Sequence, residues 1–236
     1  MKKILRIIVG ILTGVVCLFS CEVKAEHSPI PYTVQESCEK NSAGEARYTV
    51  RYPEFEDSES LNAKIQELVT YTNALIAEIK TAAKEVAAYT GTDPSYWVKL
   101  NFEEPAVSGN YINILFSLDC YQGGAQSTSE LFSVNYNRKT KTILSLEDVL
   151  LPKNKNWLKI LSRYCVTELL KKSANQENGF ITDRKWVEDG AGENAENFAV
   201  FTIEKDSVTV YFQSYQVCAY VYGRPRITVP FTAFEK

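Results

Sequence analysis

Residues that could act as a general base or as a nucleophile are few in this chain. Its 236 residues include one histidine, His27, close to the N-terminus, so triad or general-base chemistry that needs a histidine in the folded part is excluded. Carboxylates form adjacent pairs at Glu103-Glu104, Glu147-Asp148 and Glu188-Asp189. Neighbouring residues of a strand point to opposite faces, so such pairs seldom converge on one substrate. We therefore predict no catalytic residue and keep a carboxylate-dependent enzyme as the alternative.

The N-terminus has the pattern of an export signal. Lys2, Lys3 and Arg6 precede an apolar run over residues 7–19. At about 13 residues this run is too short to span a bilayer, but it is typical of a signal peptide. A retained transmembrane anchor is the alternative, although polar residues begin at Glu22. We predict that residues 1–25 are a signal peptide and that the protein is exported.

Two cleavage sites compete. Val23-Lys24-Ala25 has the small residues that a signal peptidase requires, and cleavage there gives a chain that starts at Glu26. Leu18-Phe19-Ser20-Cys21 resembles a bacterial lipobox, in which the cysteine is lipidated, although Phe19 is larger than the usual residue. We favour lipidation at Cys21, which places the protein in the periplasm or on a membrane surface. A soluble periplasmic or secreted form is the alternative.

The net charge argues against nucleic acid as a partner. The whole chain carries a formal charge of −3, and loss of the three basic residues of the signal leaves −6 on a chain that starts at Cys21. A mildly acidic chain without a basic block has no electrostatic attraction to phosphates.

The cysteines predict disulfides rather than a metal site. Four cysteines remain after the signal: Cys38, Cys120, Cys165 and Cys218. An even count in an exported protein favours two disulfides, with three possible connectivities. The first to test are Cys38–Cys120 with Cys165–Cys218, and Cys120–Cys218 with Cys38–Cys165; four buried free thiols are the alternative. No CxxC pair is present, so we predict no metal and no cofactor.

Hydrophobic periodicity predicts an α+β fold, in which two main helices pack on a mostly antiparallel sheet. The first helix begins at Ser58 or Ser60 and ends near Gly91, and the second spans about 156–172. The strands are predicted at 48–55, 97–103, 111–121, 129–137, 142–144, 198–204, 208–222 and 226–234. Residues 26–46 are predicted to be a polar tether and irregular lead-in.

The candidate partner-binding residues lie in a turn, a loop and a predicted strand. Gly123-Gly124 predicts a turn that needs positive φ, rather than a phosphate-binding loop, and with Gln126 it is a candidate for the rim of a partner site. The polar segment 173–197 predicts a ligand-contacting loop that Trp186 attaches to the body. Four tyrosines cluster near the last strands: Tyr211, Tyr215, Tyr220 and Tyr222.

If 208–222 is one strand, Tyr211 and Tyr215 share a face, and Tyr220 and Tyr222 share a face. The functional interpretation of this cluster is an aromatic platform for a glycan or a protein. The structural interpretation is sheet core with hydroxyl groups at the edge.

Several segments of the C-terminal half follow the order and spacing of a known family. In chain order they are Tyr121-Gln122-Gly123-Gly124-Ala125-Gln126, Leu146-Glu147-Asp148-Val149, Asn197-Phe198, Tyr211-Phe212-Gln213-Ser214-Tyr215-Gln216-Val217, Tyr220 to Gly223, and Ile227-Thr228-Val229-Pro230-Phe231. Together they resemble the bacterial domain of unknown function 3298. Gln126 stands where that family has a histidine. Cys218-Ala219 stands where it has Ala-Pro, which suggests that a disulfide replaces a proline-stiffened turn.

The resemblance implies a family 3298-like domain over residues 111–236, preceded by its usual companion region over 47–110. Family members include a lysozyme-binding anti-sigma factor and an accessory region of a peptidoglycan deacetylase. The function predicted is therefore that of a non-enzymatic envelope lipoprotein domain, with a binding or sensory role, whose partner is a lysozyme-like protein or a cell-wall glycan. The alternatives are a carboxylate-dependent hydrolase acting on peptidoglycan and a structural envelope component.

Overall fold

The structure is a computed structural model that describes residues 23–24 and 30–235. Of the predicted signal peptide, residues 23–24 alone are described. The predicted lipidation site Cys21, both predicted cleavage points and His27 lie outside the described residues. No helix in the described part of the chain has the length and apolar character needed to cross a membrane.

The fold is α+β, as predicted, and its larger sheet has eight strands. The strands are β1 (Val23–Lys24), β2 (Tyr32–Lys40), β3 (Ala46–Phe55), β4 (Trp97–Phe102), β5 (Ala106–Ser108), β6 (Tyr111–Tyr121), β7 (Thr128–Asn137) and β8 (Thr142–Ile143). Their order is β1-β2-β3-β4-β6-β7-β8, and β5 pairs with β6. All pairings in this sheet are antiparallel except β3 with β4. That parallel pair requires a long crossover, which a helix supplies.

The crossover is α1 (Glu59–Thr90), which covers one face of the large sheet. Its apolar residues recur at helical spacing, so one side buries Leu61, Ile65 and Ile79 against the sheet. The helix ends at Gly91, whose φ of 72° gives the left-handed C-cap that glycine adopts without strain. Helix α1 and the strands enclose the first hydrophobic core, which spans residues 30–143.

A second core follows, built on a three-stranded sheet in the order β11-β10-β9. The strands are β9 (Phe201–Ile203), β10 (Ser207–Tyr211) and β11 (Arg226–Pro230), and the helices are α2 (Leu146–Leu150), α3 (Trp157–Ala174) and α4 (Arg184–Gly190). Short 3-10 turns lie at Glu177–Gly179, Ala195–Phe198, Tyr220–Tyr222 and Phe231–Phe234. Helix α3 packs on β11 through buried residues that include Leu161 and Leu169. Each main helix therefore has its own sheet, although the sequence predicted a shared one.

Side-chain amides join the two sheets. Asn113 on β6 accepts from the Ile203 backbone N–H at 2.7 Å and donates to its carbonyl at 2.9 Å. Asn135 on β7 donates to the Phe201 carbonyl at 3.0 Å, and the Phe201 N–H donates to the Ser133 hydroxyl at 3.0 Å. One edge of β9 pairs with β10, and these side chains bond to the backbone groups of the other edge, where no strand of the described chain pairs. The buried backbone groups of β9 are thereby satisfied.

Several element bounds differ from the predictions. Residues 32–40 form a full strand within the lead-in that was predicted to be irregular. The predicted strand 208–222 ends at Tyr211, and the last strand ends at Pro230. Strands β6 and β7 lie within the large sheet, and the two hydrophobic cores divide near residue 143.

Candidate functional site

The chain leaves β10 through a tight turn that presents Tyr215 to solvent. The Gln216 side chain accepts from the Gln213 backbone N–H at 2.8 Å, and the Gln216 N–H donates to the Gln213 carbonyl at 3.1 Å. These bonds close the turn and place Tyr215 at a φ of 64°. A β-strand cannot continue through this left-handed conformation, so the alternation expected over 208–222 stops here.

The tyrosine cluster is therefore arranged differently from the prediction. The rings of Tyr215 and Tyr220 lie with centroids 5.7 Å apart, and their exposed fractions are 53% and 37%. Tyr211 instead packs against a small buried cluster that contains Leu115 and Leu131. Tyr222 points the other way, onto the ring of Phe180 at 5.8 Å. The pairings Tyr211 with Tyr215, and Tyr220 with Tyr222, were wrong, because the loop replaces the strand that they assumed.

The Tyr215–Tyr220 pair lines a slot of about 430 Å³. One wall is the loop face formed by residues 213–215 and Tyr220, and the other is the segment 126–130, which leads into and begins β7. Gln126 donates to the Tyr215 hydroxyl at 2.8 Å and closes one end. The carboxamide of Gln213 closes the other end, because it accepts from the Leu131 N–H at 2.9 Å and donates to the Leu131 carbonyl at 2.7 Å.

The Gly123-Gly124 turn sets the position of Gln126. Both glycines have positive φ, at 90° and 98°, as the sequence predicted. Tyr121 donates from its hydroxyl to the Gly124 carbonyl at 3.1 Å, which fixes the turn across the start of β7. The two glycines shape the rim and do not line the slot.

Trp186 supports the slot from behind. Its indole N–H donates to the Tyr215 carbonyl at 2.8 Å, and Asp183 caps the helix that carries it by accepting from the Trp186 backbone N–H at 2.9 Å. The Gln216 side chain also donates to the Gly190 carbonyl at 2.8 Å. The segment predicted to be a ligand-contacting loop thus contains α4 and holds the turn in place from outside the slot.

A polar relay lies on the β7 wall of the slot. The Ser129 hydroxyl donates to the Asp119 carboxylate, and Arg224 donates to the Ser129 hydroxyl at 3.2 Å. Within residues 30–235, Arg224 forms no ion pair. Glu130 is the one carboxylate among the slot-lining residues. The roles of Gln213, Ser129 and Arg224 depend on contacts across about 80 to 95 residues, and no local pattern in the sequence indicates them.

The four cysteines of the described chain are free in this structure, which shows neither of the two predicted disulfides. Cys38 is aligned with Thr49, Thr49 with Lys99, and Lys99 with Asp119 across successive strands. Cys38 therefore shares a sheet face with Asp119, whereas Cys120 points to the opposite face. A Cys38–Cys120 bond would have to cross the sheet and two intervening strands, which is beyond disulfide reach.

The two cysteines of the second core are fully buried. Burial raises the pKa of the Cys165 thiol to about 12 and that of the Cys218 thiol to about 11. Cys120 belongs to the first core instead, so a bond to Cys218 would have to join the two cores. Buried, protonated thiols of this kind are poor nucleophiles.

The carboxylate pairs of the sequence do not meet. Asp148 accepts from the Ser145 backbone N–H and hydroxyl in a capping box at the start of α2, and these bonds lower its pKa. Glu188 and Asp189 form ion pairs with the basic residues four positions earlier on α4. Glu103-Glu104 is exposed after β4. Within residues 30–235, no group of three or more acidic, cysteine or histidine side chains could hold a metal ion.

Comparison with known proteins identifies the second half of the chain. Residues 147–232 match the family described as "Protein of unknown function (DUF3298)". The match agrees with the sequence resemblance over residues 147–232. It begins within the Leu146-Glu147-Asp148 segment and does not include residues 121–126.

One curated relative is similar over most of the chain. The peptidoglycan-N-acetylmuramic acid deacetylase PdaC of Bacillus subtilis is 25% identical over 184 residues, which cover 77% of this chain. The match spans 37% of the length of that relative.

Two solved structures share the fold. A DUF3298 family protein from Pseudomonas aeruginosa is 19% identical with a TM-score of 0.56, and the match covers 87% of this chain and 93% of that one. A DUF3298 family member from Bacteroides fragilis is 18% identical with a TM-score of 0.57, and the match covers 88% and 93%. The common fold therefore includes both hydrophobic cores.

Proposed function

We propose that this protein is a non-enzymatic module of the bacterial cell envelope that binds a cell-wall glycan in the slot between β7 and the Tyr215 turn. The observation that carries the proposal is the exposed Tyr215–Tyr220 pair beside a polar wall. An aromatic face gives a sugar ring a large apolar contact at low entropy cost, and the amides and hydroxyls of residues 126–129 match sugar hydroxyls.

Two carboxylates lie at the β7 wall, but they are not placed as a catalytic pair, which supports binding over hydrolysis. Glu130 is on the opposite face of β7 from Ser129, and Asp119, on the Ser129 side, is bonded by the Ser129 hydroxyl. Glycoside hydrolysis ordinarily needs two carboxylates placed about 5 to 10 Å apart. The relative from Bacillus subtilis is named for its action on a peptidoglycan sugar, which supports a cell-wall context for this chain as well. Export through the signal peptide and lipidation at Cys21 complete the proposal, because both would place the slot beside the wall.

The direct test is co-sedimentation of the mature protein with purified peptidoglycan. We expect retention by the wild type, and about a tenfold weaker retention of Tyr220→Ala, since one aromatic contact is worth about 1–2 kcal/mol. Tyr89→Ala is the matched control, because Tyr89 is 93% exposed on α1, far along the chain from the slot.

Three other outcomes would contradict the proposal. Equal retention of wild type and Tyr220→Ala would place binding elsewhere. Retention on immobilised lysozyme but not on peptidoglycan would favour a protein partner. Release of soluble fragments or acetate from peptidoglycan by the wild type would show an enzyme. Mass spectrometry of the mature N-terminus tests the anchor, because an unmodified Glu26 start would rule out lipidation at Cys21.

A further inference from the structure

On the outer edge of β7, inside the slot, one residue has backbone hydrogen-bonding groups to which no other part of the described chain bonds. The backbone N–H and C=O of Leu131 point away from β6, since both bond to Gln213. The Asn135 carbonyl also points outward, where it accepts from the Leu144 N–H at 2.8 Å. Backbone groups alternate along a strand, so those of Ser129 face the same way as those of Leu131 and Asn135. Ser129 lines the slot, and within residues 30–235 nothing else bonds to its backbone from that side.

Gln213 shows which chemical group fits such a position. Its carboxamide forms one accepting and one donating bond to a single residue of the strand edge. Ser129, two residues earlier, presents the same pair of backbone groups to the cavity. An amide from a ligand can therefore pair with Ser129 as the Gln213 amide pairs with Leu131. Both the acetamido group of an amino sugar and a peptide bond have this chemistry.

The closed ends of the slot favour the sugar over a peptide. An added β-strand would run along β7 past Ser129 and Leu131, but Gln213 occupies the Leu131 position, and the Gln126–Tyr215 bond closes the opposite end. A cavity of about 430 Å³ lies in the range for a small ligand. A compact ring with an acetamido substituent fits between the two bridges, whereas a continuous chain does not.

Arg224 favours a ligand that carries a negative charge. Arg224 does not line the slot itself, but its guanidinium donates to the hydroxyl of Ser129, which does. The same hydroxyl donates to the Asp119 carboxylate, and within residues 30–235 no carboxylate forms a direct ion pair with Arg224. The Glu130 side chain alternates to the opposite face of β7 from Ser129, so the two charges lie on different sides of the strand. A ligand carboxylate beside the acetamido group can therefore pair with the guanidinium donors that Ser129 does not use, on the side of the strand away from Glu130.

We infer that the slot selects an N-acetylated amino sugar that carries a carboxylate. The backbone of Ser129 hydrogen-bonds the acetamido group, and the guanidinium of Arg224 pairs with the carboxylate. This assignment rests on the proposed glycan-binding function and specifies its ligand class. N-acetylmuramic acid has both groups, N-acetylglucosamine lacks the acid, and muramic acid lacks the acetyl group, so the three sugars separate the two requirements.

The test is a titration of the ¹⁵N-labelled mature protein with each sugar, followed by the amide resonances of Ser129 and Leu131. We expect the Ser129 amide to shift with both acetylated sugars and not with muramic acid, while the already paired Leu131 amide shifts less. Arg224→Ala should weaken N-acetylmuramic acid about tenfold or more and leave N-acetylglucosamine unchanged, as expected for loss of a charged hydrogen bond. Arg226→Ala, which removes an exposed arginine two residues away, is the control.

Each opposite outcome has a distinct meaning. Equal binding of N-acetylmuramic acid and muramic acid, or equal losses for both acetylated sugars in Arg224→Ala, overturns this assignment while glycan binding stands. A Ser129 shift with an acetylated tripeptide amide but with no sugar overturns it in favour of a peptide ligand. If none of the sugars shifts any slot resonance and peptidoglycan is not retained, the proposed function itself fails.

Discussion

The carboxamide of Gln213 forms two hydrogen bonds with the backbone of Leu131, which lies 82 residues earlier in the chain. This pairing connects the turn of the second core to the edge of the large sheet and defines one end of the slot. The slot is thus formed by both cores together, with one wall from each.

Substitution of Gln213 should loosen the slot. Gln213→Ala removes both bonds to Leu131 and should lower the free energy of unfolding by about 1–3 kcal/mol. Urea unfolding of the variant measures this loss. Gln66→Ala, an exposed glutamine of α1, is the control and should change the free energy by less than about 0.5 kcal/mol. A Gln213 variant as stable as wild type would show that the contact is not maintained in solution.

The buried Asn113 should be more important for stability. Asn113→Ala leaves the N–H and C=O of Ile203 without their side-chain partner. Because Asn113 is only 3% exposed, water cannot replace it, and the free energy of unfolding should fall by about 3 kcal/mol. Asn101→Ala provides the comparison, because that residue is exposed on the neighbouring strand β4. Thermal unfolding followed by circular dichroism measures both, and equal melting temperatures would contradict the role of Asn113 in joining the sheets.

Gly190 should tolerate no side chain. A Cβ at this position would lie 1.9 Å from the Gln216 carbonyl oxygen, so Gly190→Ala must displace the turn that carries Tyr215. We expect a loss of about 3 kcal/mol or more, together with loss of ligand binding. Gly124→Ala has open space around it and a φ of 98°, so only backbone strain of about 1–2 kcal/mol applies there. In chemical denaturation, Gly190→Ala should therefore lose more unfolding free energy than Gly124→Ala. The reverse order would contradict the close approach of Gly190 to the Gln216 carbonyl.

The thiols give a pH-dependent prediction. Cys165 and Cys218 have pKa values raised to about 12 and about 11, so the folded state keeps their protons longer than the unfolded chain does. Their contribution to stability is present below the unfolded thiol pKa of about 8.5 and is lost as the pH rises toward 11 and 12. Unfolding midpoints measured between pH 8 and 11 should fall in the wild type, and less steeply in Cys165→Ala.

Thiol labelling checks the same cysteines in another way. At pH 8 the native protein should react at Cys38, which is half-buried, while Cys165 and Cys218 become reactive only after unfolding. A non-reducing mass two or four units below that of the fully reduced chain would show disulfides and contradict the free thiols of the structure.

The spacing of apolar residues along the sequence was enough to predict most of the helices and strands. The apolar spacing that predicted the first helix corresponds to Glu59–Thr90, and the alternation of Ile112, Ile114, Phe116 and Leu118 corresponds to β6, whose bounds were predicted as observed. The positive φ of Gly123 and Gly124 was also predictable, because glycine adopts that conformation at little cost. These features depend on residues a few positions apart, so the sequence determines them directly.

The tertiary structure decided which of these elements meet. Four tyrosines were predicted to form one cluster on a strand, but β10 ends at Tyr211 and the left-handed turn at Tyr215 brings that ring against Tyr220 alone. The division of the helices between two sheets, and the placement of Cys38 and Cys120 on opposite faces, follow from strand order. Contacts such as Gln213 with Leu131 close loops of tens of residues and form only when the whole core packs, so no local pattern can specify them.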